Sequence, residues 1–437
     1  MSFNIGLSGL YAANKQLDVT GNNIANVATT GFKSSRAEFA DIYAASKLGT
    51  GQNSIGNGVN LAAVSQQFTQ GDVNGSGGIL DMAIQGGGFF VQKGSDGSLE
   101  YTRSGAFRAD KDGYITNNTG TSRLQGYAAD DDGKIIKGGL TDLQLNLSNL
   151  PPKASTKVDS TSNLNSSEPV INQTLKPFDP TDTSTFTTQY STTLYDAQGN
   201  AHPMVQYLVK TDGNKWNAYT LIDGRNPDGS PPTGGTPATP PVPSTLAFDG
   251  SGTLTSVTTG GVANNTLTIT GWVPGTVTAG VWKANGATAN PTGIAINMAN
   301  ITQHNSASYR NPPITDGYAT GQITGLKIDG SGVLFATFSN QQSKAIGQIS
   351  LASFNNEQGL QAVGGTSWKE TYLSGFAAYD AGQTGTLGSV VSNSLEDSNV
   401  NLTSELVDLI KGQSNYQANA KTISTQSTIM QTIIQMA

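Results

Sequence analysis

The chain of 437 residues contains no cysteine. That absence removes disulfides, thiolate nucleophiles and Cys-based metal sites together. Histidine is nearly as scarce: His202 and His304 are the only two, and neither has a companion at metal-ligand spacing. Charged residues make up 13%, about half the usual ~25%. The net charge of -7 argues against a nucleic-acid footprint, which needs a basic patch. No stretch approaches the ~20 apolar residues of a membrane-spanning helix. The opening "MSFNIGLSGLYAANKQ" has no basic n-region, continuous apolar run or small-residue cleavage site, so export by an ordinary cleaved signal peptide is not expected.

What fills the space left by charge is Gly, at 53 residues, with Ser, Thr, Asn and Gln. This is the composition of many short strands and tight turns, with a surface made polar by hydroxyls and amides. The length allows two or three domains. From about residue 60 to 396 short apolar runs alternate with DG, GS and NG turns, as in "EYTRSGAFRADKDGYITNNTGTSRLQGYAADDDGKIIKGG", which predicts a sandwich or barrel-like β structure. Residues 150–320 differ in texture. They are Thr-rich and carry the loop "RNPDGSPPTGGTPATPPVPST" (225–245), which holds seven of the 17 prolines and should be extended. We read 150–320 as an outer β domain inserted into a discontinuous one, 71–149 with 321–396. The stretches "LAFDGSGTL" (246–254) and "LKIDGSGVL" (326–334) match closely, and similar hairpins explain them better than a true repeat.

The two chain ends have helical patterns. Phe3, Leu10, Leu17 and Ile24 recur every seven residues, with Gly6, Ala13, Thr20 and Val27 alongside. Leu402, Leu409, Tyr416, Ile423 and Met430 repeat the spacing, and Leu406, Gln413, Ala420, Ser427 and Ile434 form a second line. Such narrow seams, bordered by small and polar residues, suit a partner helix better than a broad core. The expected architecture is therefore mainly β with α-helical termini, residues 1–31 and 397–437, pairing as a coiled-coil-like inner domain. Residues 32–70, with "GTGQNSIGNG" inside, would be an extended linker and contact segment. The run "NNIANVATTG" is where the first helix stops, at Thr30 and Gly31.

Catalytic signals are weak. "QGGGFF" (85–90) leads into a strand instead of opening a helix, so it does not cradle phosphate. "DKDG" (110–113) and "ADDDGK" (129–134) lack the glycine placement and bidentate Glu of a calcium loop and read as hairpin turns. No enzyme, cofactor or metal site is expected.

The end motifs carry a resemblance. "SGLYAANKQLDVTGNNIANVATTGFKSSRAEFADIY" (8–43), with Asn22, Asn23, Ala25, Asn26, Thr30, Gly31, Phe32 and Lys33, resembles the N-terminal signature of the flagellar rod and hook axial protein family. "YTRSGAFRADKDGYITNNTGTSRLQGY" (101–127) resembles that family's shared β domain, and 394–434 its C-terminal helix. The segments 187–224 and 331–371 resemble hook subunits within it; the Pro-rich loop and the Thr/Gly-rich stretch at 250–300 depart from them. The resemblance implies a self-assembling curved helical tube, the bacterial flagellum's universal joint, enclosing an export channel. It implies as partners further copies of the chain, a distal rod protein, a hook–filament junction protein, and the hook cap and export apparatus during assembly. Nucleic acid and membrane insertion are not implied, and the location would be outside the cell, reached by the flagellar type III system. A distal-rod protein, which would be straight, and a secreted β-rich adhesin are the alternatives.

Overall fold

A computed structural model describes residues 2–42, 56–146, 148–232, 239–259, 262–264, 266–278, 281–288 and 292–436. Most of "GTGQNSIGNG" and the centre of the Pro-rich loop lie outside them. The chain forms two compact units: Met1–Leu147 with Thr324–Thr337 and Ser343–Ala437, and Ser148–Ile323 with Phe338–Gln342.

The first unit carries both long helices, α1 (Ser2–Ala25) and α2 (Leu402–Met436). They pack on each other, so the expected fold class, mainly β with paired helical termini, is what the chain adopts. Next to α1 lies an antiparallel ribbon of β1 (Ser35–Asp41) and β2 (Val59–Gln66), with Ser35 opposite Gln66 and an irregularity at Glu38/Phe39. The rest of the unit is built on a large sheet in which Phe89–Gly94 lies between Leu99–Thr102 and Ser122–Ala128. Its core gathers Met82, Ile84, Phe90, Ile115, Leu124 and Ile349, all completely buried. A smaller aromatic core holds Phe89, Tyr101 and Trp368.

The second unit packs two sheets around one core. Five antiparallel partners follow Thr188–Tyr195 in strict sequence order, the economical result of short hairpin connections. In the other sheet Lys157–Asn165 runs parallel to Ile294–His304, Lys157 opposite Ala295. Trp216, Leu246 and Val257 from one sheet meet Val158, Ile294 and Ile296 from the other, the layered solution for two half-apolar sheets. Buried Trp216 donates its indole N–H to Gln303 Oε1 at 2.9 Å.

The DG segments at 112–113, 132–133, 249–250 and 329–330 lie in hairpin turns. In both twin stretches an Asp carboxylate accepts two backbone N–H groups: Asp249 from Ser251 and Thr253, Asp329 from Ser331 and Val333. The glycine three places on has φ of 82° in each, a left-handed conformation with little cost for Gly. The same local code thus closes one hairpin in each unit. Asp110 and Asp130 spend their oxygens in the same way on the N–H groups of Asp112 with Tyr114, and of Asp132 with Lys134. Among the described residues no group of His, Asp or Glu could hold a metal ion.

Candidate functional site

The site is the place where the two chain ends meet each other and the β body. Small residues let the helices approach closely. A Cβ on Gly6 would stand 3.0 Å from Ile423 Cγ1, one on Gly9 2.4 Å from Asn419 Oδ1, and one on Gly412 2.9 Å from Leu17 Cδ2. The pairing is antiparallel. Along α1 the buried positions are Gly6, Ala13, Thr20 and Asn23, while Leu10, Leu17 and Ile24 are half-buried and Phe3 is exposed; Val27, just past the helix end, is half-buried. Along α2, Leu409 and Ile423 are half-buried and Tyr416 lies nearer the surface. The second line of contact runs through Glu405, Gly412, Asn419 and Gln426; of the expected line, Ala420 is half-buried and Leu406, Gln413, Ser427 and Ile434 are exposed. Glycine and amide positions decide this rotation, because they permit the backbones to close where larger side chains would not.

Toward its C-terminal end α2 leaves apolar side chains exposed. Ile429, Met430, Ile433 and Ile434 are each about half or more exposed, and so is Leu402 at the other end of α2. The polar face is quiet. Thr422, Thr425, Thr428 and Thr432 donate their hydroxyls to carbonyls four residues back at 2.9–3.1 Å. After Gly412 the only charged side chain is Lys421.

The exit of α1 uses the "NNIANVATTGFK" residues in sequence. Asn22 and Ala25 face solvent. Asn23, 2% exposed, donates to Ser35 O and Glu405 Oε1 and accepts from Ser35 N, all at 2.8–2.9 Å. It therefore ties α1, β1 and the first turn of α2 together; burial raises the Glu405 carboxyl above its ordinary range, against the opposing Asn23 hydrogen bond. Asn26 caps the helix end on Asn22 O at 2.9 Å and accepts from Thr29 at 3.1 Å. Thr30 and Phe32 are half-buried. Gly31 has φ of 69°, and a Cβ there would lie 2.4 Å from Ser104 N, so glycine is required twice over. Its N–H donates to Glu396 O at 2.8 Å.

Beneath this turn lies a buried ionic cluster. Lys33 donates to Glu396 Oε1 at 2.6 Å and to Thr69 O at 2.7 Å. Arg103 donates to Glu396 Oε2 at 3.2 Å and to Gly86 O at 2.9 Å, and Gly71 N–H reaches Glu396 Oε1 at 3.0 Å. The side chains of Lys33 and Glu396 are fully buried and that of Arg103 nearly so. Desolvation draws the Lys33 ammonium below its ordinary range, although Glu396 pulls the other way. Two cations face one carboxylate, and Phe89 offers its ring to the guanidinium at 5.4 Å. Asn399 completes the junction: it accepts from Ser34 N at 2.7 Å and donates to Gln67 O at 2.7 Å. The cluster joins the exit of α1, the segment after β2, the β body and the lead into α2. Lys33 was singled out by its motif; Arg103, Glu396 and Asn399 were not, and only their places inside the family-like stretches hinted at them.

At this site both chain ends form one hairpin, pinned to a β body by buried polar contacts. Four family models match separate stretches: "Flagella basal body rod protein" over 3–33, "Flagellar hook protein FlgE/F/G D1 domain" over 83–147, "Flagellar basal body protein FlaE D2 domain" over 163–318, and "Flagellar basal body rod FlgEFG protein C-terminal" over 391–436. The flagellar hook protein FlgE of Escherichia coli K12 is 37% identical over 439 residues, covering all of both chains. That of Salmonella typhimurium is 38% identical, again covering all of both, and that of Borreliella burgdorferi 32% identical over 99% of this chain and 98% of its own. The crystal structure of Helicobacter pylori FlgE2 shares the fold at a TM-score of 0.51 and 14% identity, over 74% of this chain and 100% of its own. The chain belongs to the flagellar hook protein FlgE family. It is a structural subunit of the flagellar hook.

Proposed function

We propose that the subunit assembles with copies of itself into a curved, hollow helical tube, with α1 and α2 lining the channel and the insert 150–320 forming the outer layer. The observation that carries this reading is the C-terminal end of α2, whose Ile429, Met430, Ile433 and Ile434 are each about half or more exposed. A neighbouring copy's helices would supply the cover, and the expected seam residues Phe3, Leu402, Leu406, Met430 and Ile434 would be used there. Head-to-tail contacts of this kind build open helices instead of closed rings. The scarcity of charge along α2 after Gly412, where Lys421 is the only charged side chain, suits a wall past which unfolded chains must travel. In this reading a distal rod protein lies below, a junction protein above, and a cap and the export apparatus act during growth outside the cell. The role is mechanical, without catalysis. Electron microscopy of the purified chain at rising concentration tests it: curved tubes are expected, straight rods would indicate a rod subunit, and a persistent monomer would refute self-assembly.

A further inference from the structure

Three apolar side chains stand almost free on the first unit: Tyr372 is 99% exposed, Leu373 73% and Phe376 92%. Within five residues of one loop they form a short apolar protrusion, the most exposed large apolar side chains of that unit's β body among the described residues. The loop that carries them is firmly held. Thr371 Oγ1 donates to Gly359 O at 2.6 Å, Thr371 N–H donates to Ser374 Oγ at 2.9 Å, and Ser374 Oγ donates back to Thr371 O at 2.9 Å. Asn356 Nδ2 donates to Leu373 O at 3.0 Å. Ser374 is fully buried, and a Cβ on Gly359 would come within 2.3 Å of Ser374 N, so the two turns are pressed backbone to backbone. Ala377 N–H on Glu370 at 3.3 Å closes the base.

A fixed backbone that holds two aromatic rings in water has already met the ordering cost of binding. Contiguous exposed apolar groups rimmed by polar ones mark contact sites, and aromatic anchors dominate interface energetics. We propose that the Tyr372–Leu373–Phe376 protrusion docks against a second copy of this chain within the hook polymer, an inference that rests on the self-assembly reading above. A tube built by head-to-tail contacts has no two-fold axis to place a patch opposite itself. The protrusion therefore meets a different face of the neighbour.

The test uses the full chain carrying Tyr372→Ser and Phe376→Ser together. Because both side chains stand in solvent, thermal unfolding of the monomer stays unchanged, while the critical concentration for polymerisation rises at least about tenfold. The absence of native cysteine provides a second readout. The thiol introduced by Phe376→Cys reacts with a maleimide in the monomer and at least about tenfold more slowly in the polymer. A double variant that polymerises at the wild-type concentration, with the introduced thiol equally reactive in both states, overturns the contact alone. A lowered melting temperature of the double variant also overturns it, by showing that the protrusion serves its own fold. A wild-type chain that never polymerises overturns the self-assembly reading and this inference with it.

Discussion

Neutralising Glu396 should be the most damaging conservative change in the first unit. Its carboxylate pairs with both Lys33 and Arg103, and the side chains of Glu396 and Lys33 are fully buried. Glu396→Gln keeps the shape and leaves two desolvated cations without that counter-charge. It also turns an amide donor toward either Lys33 Nζ or the Arg103 guanidinium. Removing one partner of a buried ion pair costs ~3–5 kcal/mol, and the extra cation here places the expectation at the upper end. Lys33→Met provides the contrast. It leaves Arg103 and Glu396 as a one-to-one pair and fills most of the volume. The loss is then the two hydrogen bonds of the ammonium, worth ~1–3 kcal/mol, with Thr69 O still accepting from Asn399 Nδ2 at 3.1 Å. Urea unfolding followed by helical ellipticity reports on this unit, since both long helices belong to it. Equal destabilisation by the two variants, or a larger effect of Lys33→Met, would refute the argument that net buried charge governs the junction.

Three further outcomes follow from other residues. Gly31→Ala, forced to hold a φ of 69° against the Ser104 backbone, should destabilise by more than ~2 kcal/mol in the same urea titration, unlike Gly138→Ala, where a Cβ meets open space. Ile423→Asp places a carboxylate against Gly6 and Asn419 in the helix contact; it should abolish polymer and speed amide exchange in α1 and α2 while exchange in the β body is unchanged. His202, 2% exposed, lies 2.7 Å from Asp223 Oδ2 and 3.2 Å from Asp196 Oδ2; burial alone would lower its pKa, but the two carboxylates raise it. The folded state then binds the proton more tightly than the unfolded one, so this stabilisation is full below about pH 6.5 and is lost as pH rises through the raised folded value. Melting of the second unit should therefore weaken across that window in wild type and stay level in His202→Asn.

How much of this was legible in the sequence differs from level to level. The seven-residue spacing of Leu10, Leu17, Leu409 and Ile423 announced helices at both ends, because apolar periodicity is a property of one segment and needs no knowledge of its partner. The rotation of α2 about its axis was not legible. It depends on Gly9 meeting Asn419 and on Leu17 meeting Gly412, pairings that exist only once two distant segments are brought together. The DG turns were readable for the same local reason: Asp110, Asp130, Asp249 and Asp329 each satisfy backbone groups within four residues. Helix α1 stops at Ala25, earlier than Gly31, since Asn22 and Asn26 begin to bond side chain to backbone before the glycine arrives. The ionic cluster was the least visible part. Glu396 is separated from Arg103 by 293 positions and from Lys33 by 363, and nothing in a lone Arg or Glu indicates a buried partner.

The contrast between the junction and the seam bears on how such a subunit could bend without breaking. At the junction the contacts of Asn23 and Lys33 are directional and buried or partly buried: Asn23 must meet Ser35 and Glu405, and Lys33 must meet Glu396, at fixed distances. Displacing any of these strands a buried polar group, so resistance to rotation is steep at that point. Along α2 the exposed hydroxyls of Thr425, Thr428 and Thr432 are already bonded to their own backbone, and exposed amides such as Gln417 and Gln431 are ones that water can serve equally well. A neighbour sliding along that face exchanges one weak polar contact for another at small cost. Torque arriving at the helices would therefore pass into the β body through the rigid Lys33–Glu396–Arg103 joint, while changes of curvature would be taken up between subunits. A chain with 13% charged residues that places three of them in one buried cluster separates those two duties in space, and the separation explains both its dull surface and its ionic core.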